Sequence, residues 1–106
     1  MNQLGVKELA QWLAQPERPQ PLLLDVREAW EVQTASLPSA THIPMQQIPA
    51  RLAELDGERE IVAICHHGAR SMQVALFLER QGLKVHNLAG GIDAWSREID
   101  AGIPRY

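Results

Sequence analysis

The sequence predicts an α/β fold in which parallel strands are covered by helices on both faces. Three observations predict it. Strand-sized apolar runs alternate along the chain with stretches of helical periodicity. The strongest runs, Leu22-Leu23-Leu24 and Ile61 to Cys65, are unbroken rather than alternating, as in strands covered on both sides. The composition, 45% hydrophobic and 22% charged over 106 residues, is that of a soluble globular chain of one-domain size. Alternating strands and helices imply right-handed crossovers between parallel strands.

The elements follow in order. Val6, Leu9, Trp12 and Leu13 fall on one face of a helix. Residues 15–21 hold three prolines and form a loop. Residues 21–27 are an apolar run ending in charge, a buried strand, and residues 28–33 are a short helix. Residues 34–38 turn, and residues 40–43 make a short edge strand before Pro44. Met45, Ile48, Leu52 and Leu55 predict a helix, with Pro49 early enough that its missing N–H is tolerated. Asp56-Gly57-Glu58-Arg59 turns, with the charges from Glu54 to Glu60 in solvent. Residues 60–65, β-branched and apolar, are the clearest strand. His66 to Arg70 is a loop. Ser71 caps a helix over 72–81 that Gly82 stops. Residues 84–88 form a further strand, Gly90-Gly91 a tight turn, and residues 92–101 the last helix. Trp12 and Trp95 fit the core, although Trp95 also fits a pocket wall. Trp30 fits either the site or a partner surface.

Charge and length exclude several classes. Ten Lys and Arg against thirteen Asp and Glu give a net charge of −3, which argues against general nucleic-acid binding. No stretch approaches the roughly 20 apolar residues of a membrane span. The first residues carry no basic or apolar leader pattern, and the expected location is cytoplasmic. One cysteine, Cys65, excludes an intramolecular disulfide and any zinc site built on several cysteines.

Cys65 is also where chemistry is expected, because ligands of parallel sheets bind at the carboxyl ends of strands. In Cys65-His66-His67-Gly68-Ala69-Arg70-Ser71 a strand passes into a helix through a short loop. The helix start offers free N–H groups and partial positive charge. Gly68 permits a positive-φ turn that converges amides into an anion nest. Arg70 is a permanent cation. A thiol placed there is expected to ionise readily and react as thiolate. A strand-end cysteine is otherwise a core residue; the Gly68 and Arg70 spacing favours chemistry. His66 and His67 are adjacent at a strand end, so their rings are expected to diverge. No third ligand has suitable spacing, and no metal or other cofactor is expected. Asp25 and Arg27 are expected to form ion pairs or hydrogen bonds that fix the loops at the sheet's carboxyl edge.

The motif Cys65-x-x-Gly68-x-Arg70-Ser71 resembles the active-site loop of single-domain rhodaneses, the thiosulfate-type sulfurtransferases. The likeness extends through Leu24-Asp25-Val26-Arg27-Glu28, through Leu37 to Pro44, and through Leu88-Ala89-Gly90-Gly91-Ile92-Asp93-Ala94-Trp95 to Gly102-Ile103-Pro104. The resemblance implies one rhodanese-like domain over 1–106. Its fold is a three-layer α/β/α sandwich whose five-stranded parallel sheet has the order 3-2-4-5-1.

It further implies that Cys65 takes sulfur from a donor such as thiosulfate and passes it, as a persulfide, to cyanide or a thiol. The acceptor is a small thiol, a thioredoxin-like protein or a sulfur-carrier protein. The amides of His66, His67, Gly68, Ala69, Arg70 and Ser71 stabilise the persulfide, and Asp25, Arg27 and Trp95 support the loop.

Two other readings use the same residues. One is a sulfur carrier or binding module in a relay, with little turnover of its own. The other is a phosphatase or arsenate reductase, whose relatives carry one residue more between Cys and Arg than the Cys-x4-Arg found here. Where the family pattern has two glycines and a histidine, this chain has Ala35-Ser36-Leu37-Pro38-Ser39-Ala40. Altered turns are expected there.

Overall fold

The computed structural model describes residues 1–106. Its centre is a five-stranded parallel sheet built from β1 (Asn2–Leu4), β2 (Leu22–Asp25), β3 (Thr41–His42), β4 (Ile61–Ile64) and β5 (Val85–Leu88). The strand order is β1-β5-β4-β2-β3, which is 3-2-4-5-1 read from the other edge. The helices are α1 (Val6–Leu13), α2 (Ala29–Thr34), α3 (Ala69–Arg80) and α4 (Gly91–Glu98). No helix is long and apolar enough to cross a membrane.

The period-2 alternation of β4 divides the core. Val62 and Ile64 pack with Leu9, Trp12, Leu88, Ile92 and Trp95 under α1 and α4. Ile61, Ala63 and Cys65 pack with Leu24, Val74, Ala75 and Leu78 under α3. Every residue of β4 is buried, so its unbroken apolar run is the direct record of cover on both faces. Trp95 therefore belongs to the core on the face opposite the Cys65 side chain. It does not line a pocket beside that thiol.

Four elements differ from the sequence prediction. β1 is an additional edge strand, in register Asn2↔His86 to Leu4↔Leu88. Its three residues are exposed or half-buried, so it carries no apolar pattern. The helix predicted over 45–55 is two 3-10 turns, Met45–Gln47 and Pro49–Glu54, with non-helical backbone at Arg51. α3 begins two residues before Ser71, and its N-cap is Gly68 at φ 112°. Ser71 lies inside the first turn, and its hydroxyl is used elsewhere. α4 stops at Glu98, short of 101.

The segment 35–40 makes a left-handed turn without glycine: Ser39 has φ 65°. Ala35 and Leu37 are buried in the core beneath it. The Ala35 carbonyl accepts a hydrogen bond of 2.6 Å from Arg27.

Arg27 is fully buried, and Asp25 beside it is 1% exposed. Its Nε and one terminal nitrogen bind the Asp25 carboxylate at 2.9 and 2.6 Å. The remaining donors reach Ala35 O, Glu31 O at 3.4 Å and Tyr106 Oη at 2.7 Å. The pair joins β2, α2, the 35–40 turn and the C-terminal residue. Removing one partner of a buried ion pair strands the other charge, at a cost of about 3–5 kcal/mol. Arg27→Met is expected to lose about that much stability in urea unfolding. The Asp25→Leu/Arg27→Met double variant is expected to regain much of it.

Candidate active site

β2, β4 and β5 are adjacent and parallel, so their carboxyl ends form one edge. Asp25 ends β2, Cys65 follows β4, and Asn87 lies one residue from the end of β5. The Cys65 thiol is 1% exposed. The Gly68 N–H donates to its Sγ at 3.0 Å, and the Ser71 hydroxyl lies 3.3 Å from it.

The loop's polar groups are sorted by sign. The Cys65 carbonyl accepts from Ile92 N–H at 2.9 Å, and the His66 carbonyl from Asp93 N–H at 3.0 Å. Gly68 O accepts from Met72 N–H and from Asn87 Nδ2. These carbonyls are thereby held away from the sulfur. The amides of His66, His67, Ala69, Arg70 and Ser71 donate to no backbone carbonyl. A loop with amides left without acceptors, one of them on the sulfur, and with three carbonyls bound elsewhere is suited to hold an anion.

Gly91 makes this packing possible. Its φ is 59°, and a Cβ there would lie 2.5 Å from the Cys65 carbonyl oxygen, with the His66 oxygen also in contact. The glycine pair is thus more than a turn: it lets the start of α4 press on the Cys65 loop.

Asn87, which no sequence motif marks, is buried in β5. Its Nδ2 donates to Gly68 O at 3.1 Å and to Gln3 Oε1 at 3.0 Å, which fixes the amide orientation. Its Oδ1 then accepts from Ser71 Oγ at 2.5 Å. The Ser71 hydroxyl, with one proton, stands between Asn87 and the sulfur. A short polar residue that the strand period turns inward in β5, beside the strand leading to Cys65, is the available signal.

Arg70 lies at the mouth, but its guanidinium is engaged. It binds Glu31 through two nitrogens, at 2.6 and 2.8 Å. Glu31 is 4% exposed and also accepts from Tyr106 Oη at 2.7 Å and Glu28 N–H at 3.1 Å. Arg70 chiefly, with Tyr106 and Glu28, pulls the Glu31 carboxyl down to about 2 against the opposing effect of burial. Tyr106 is pushed up to about 12 by burial and by the Glu31 carboxylate. The Arg70 cation is likewise strengthened, by Glu31.

The two histidines do not diverge. Past the end of β4 the chain turns, and their rings lie 3.9 Å apart between centroids. His66 also stacks on Tyr106 at 4.0 Å, and Tyr106 meets the exposed Trp30 edge-on at 5.7 Å. Burial, then the neighbouring His67, lowers the His66 pKa. Asp93 joins the pair as a third potential ligand. Its oxygens are bound by Arg97 and Arg105, both at 3.1 Å, and the cluster reads as an ion-pair network.

A Rhodanese-like domain model matches residues 6–98. The chain belongs to the rhodanese-like family. It is 40% identical over 98 residues to a sulfurtransferase of Allochromatium vinosum, covering 92% of this chain and 90% of that one. It is 32% identical to the thiosulfate sulfurtransferase GlpE of Pseudomonas savastanoi, covering 70% and 71% of the two chains. The crystal structure of a rhodanese-like domain protein from Staphylococcus aureus superposes with a TM-score of 0.85 at 30% identity. It covers 100% of this chain and 99% of that one. The rhodanese-like fold and sulfurtransferase family thus agree with the resemblance carried by the Cys65 loop.

Two outcomes test the site. Gly91→Ala is expected to displace the loop backbone and slow alkylation of Cys65 by iodoacetamide about 10²-fold, measured by mass spectrometry. Glu31 binds protons more weakly in the folded state than at its ordinary 4.5. Its contribution to stability is therefore complete above 4.5 and lost as pH falls through about 2. The stability difference between wild type and Glu31→Gln, from denaturant unfolding, is expected to shrink over that window.

Proposed function

We propose that this rhodanese-like domain is a sulfurtransferase in which Cys65 carries sulfane sulfur as a persulfide. The observation that supports it most is the sorting of the loop: the Gly68 N–H is bound to Sγ, five further loop amides have no backbone acceptor, and the carbonyls of Cys65, His66 and Gly68 are bound elsewhere. With thiosulfate as donor, the Cys65 thiolate attacks the outer sulfur. A Cys65 S–S bond forms, the S–S bond of thiosulfate breaks, and sulfite leaves with the bond's electron pair. The persulfide anion is then attacked at its outer sulfur by cyanide or a thiol, which departs with that sulfur and restores the thiolate. Splitting the transfer into two displacements replaces one difficult step by two easier ones.

The loop amides stabilise charge on the outer sulfur as an oxyanion hole stabilises oxygen, by preorganised dipoles in a buried site. Ser71, its proton given to Asn87, holds its hydroxyl oxygen 3.3 Å from Sγ. A single buried thiol has no internal partner to resolve a persulfide, so the acceptor is another molecule, a small thiol or a thioredoxin-like or sulfur-carrier protein. A free thiol of this kind suits a reducing compartment such as the cytoplasm. The pairing of Arg70 with Glu31 supports sulfur transfer over phosphatase chemistry, which needs a cation turned to a tetrahedral oxyanion.

Incubation with thiosulfate is expected to add one sulfur, about 32 Da by intact mass, and cyanide or a thiol to remove it. Cys65→Ala is expected to take none. No adduct on the wild type with thiosulfate or an organic persulfide would overturn the reading. Loading with slow turnover on small acceptors but fast transfer between proteins would mark a carrier.

A further inference from the structure

Arg70 is the permanent cation of the Cys65 loop, yet both of its terminal nitrogens are bound to a buried carboxylate. Glu31 is not placed there by chance contact. α2 presents it from its first turn, the Glu28 N–H and Tyr106 Oη hold its two oxygens, and Arg27 holds Tyr106. Every one of these partners is itself anchored, so the carboxylate stays when a donor arrives. An anion approaching Sγ meets amide dipoles and a guanidinium whose charge is already offset.

We propose that Glu31 is a positioning residue that sets the charge selectivity of the site. By holding Arg70 it disfavours a dianionic donor such as thiosulfate relative to a donor of lower charge, an organic persulfide. The exposed edge beside this ion pair is aromatic: Trp30 is 60% exposed and continues through Tyr106 to His66. That wall offers contact to an organic group and no cation to an oxyanion. In the favoured step the Cys65 thiolate attacks the outer sulfur of R–S–S–H. The new bond joins Sγ to that sulfur, the donor's S–S bond breaks, and R–S⁻ leaves with its electron pair. Cys65–S–S–H is the product, so atoms and charge balance and no external oxidant or reductant enters.

The donor preference rests on the sulfur-transfer reading, but the charge effect does not, so two pairs of probes separate them. The first pair is thiosulfate against 2-hydroxyethyl persulfide, read as kcat/KM for sulfur loading. The second is iodoacetate against iodoacetamide, read as the rate of Cys65 alkylation. Glu31→Gln is expected to raise the thiosulfate-to-persulfide ratio about tenfold, mainly through a lower KM for thiosulfate, and to steepen its decline with salt. It is expected to raise the iodoacetate-to-iodoacetamide ratio in the same sense. Both gains are expected to vanish in the Arg70→Gln background, since the effect acts through Arg70. Glu54→Gln makes the same charge change at an exposed carboxylate paired with Arg51 and is expected to keep the wild-type ratios and salt dependence.

Glu31→Ala serves the same test if Glu31→Gln does not fold. Unchanged or falling ratios in a folded variant overturn the proposal. So does a gain that survives loss of Arg70 or appears equally in Glu54→Gln. A shift in the alkylation ratio with no sulfur loading in the wild type leaves the charge effect standing and removes sulfur transfer instead.

Discussion

The guanidinium of Arg27 is fully buried with five N–H groups to satisfy, and it finds an acceptor for each. Those acceptors come from four places: the end of β2, the Glu31 carbonyl in α2, the turn at Ala35 and the Tyr106 phenol. His42, at the end of β3, closes on the Arg27 carbonyl at 2.6 Å. A buried cation left short of one acceptor is costly, so these segments are bound to assemble together or not at all. Their assembly fixes Glu31, and Glu31 fixes Arg70 at the mouth of the Cys65 loop. The active-site charge arrangement is thus a consequence of satisfying an arginine that never touches the sulfur.

The second dependence runs through glycine. Gly91 lets the start of α4 donate to the carbonyls of Cys65 and His66, and Gly68 turns the chain into α3 at a φ closed to most residues. Two helices therefore serve one loop from opposite sides. The start of α4 removes its acceptors, and the start of α3 contributes donors. Neither helix alone would give a site of one sign. Ser39 shows the contrasting case, where a left-handed turn is held without glycine because the buried Ala35 and Leu37 and the Arg27 bond at Ala35 determine the path.

Much of the site was legible because its core is contiguous. Cys65, Gly68 and Arg70 lie within six residues, and the physics of a strand entering a helix can be read along that span. Asp25 and Arg27 were legible as a pair for the same reason. Glu31 was not, since it meets Arg70 across 39 residues of sequence, and Asn87 meets Gly68 across 19. Residue type marks Ser71 as a cap, whereas Gly68 takes that position and the Ser71 hydroxyl binds Asn87 beside Cys65. Strand geometry gives adjacent histidines divergent rings, but that geometry no longer applies once β4 has ended. β1 escaped notice because an exposed three-residue edge strand has no hydrophobic period to display.

By itself the sequence determined the alternation of strands and helices, the burial of β4, the position of the one thiol at a strand end and the family its motifs resemble. These follow from local periodicity and from spacing within single segments. Only the tertiary structure decided which charges reach the thiol. Arg70 is a cation in the sequence and half of an ion pair in the fold. Glu31, Asn87 and Tyr106 acquire their parts only when separate elements meet. Hydrophobic period is a property of one segment, whereas an electrostatic environment is a sum over every segment brought within a few ångströms.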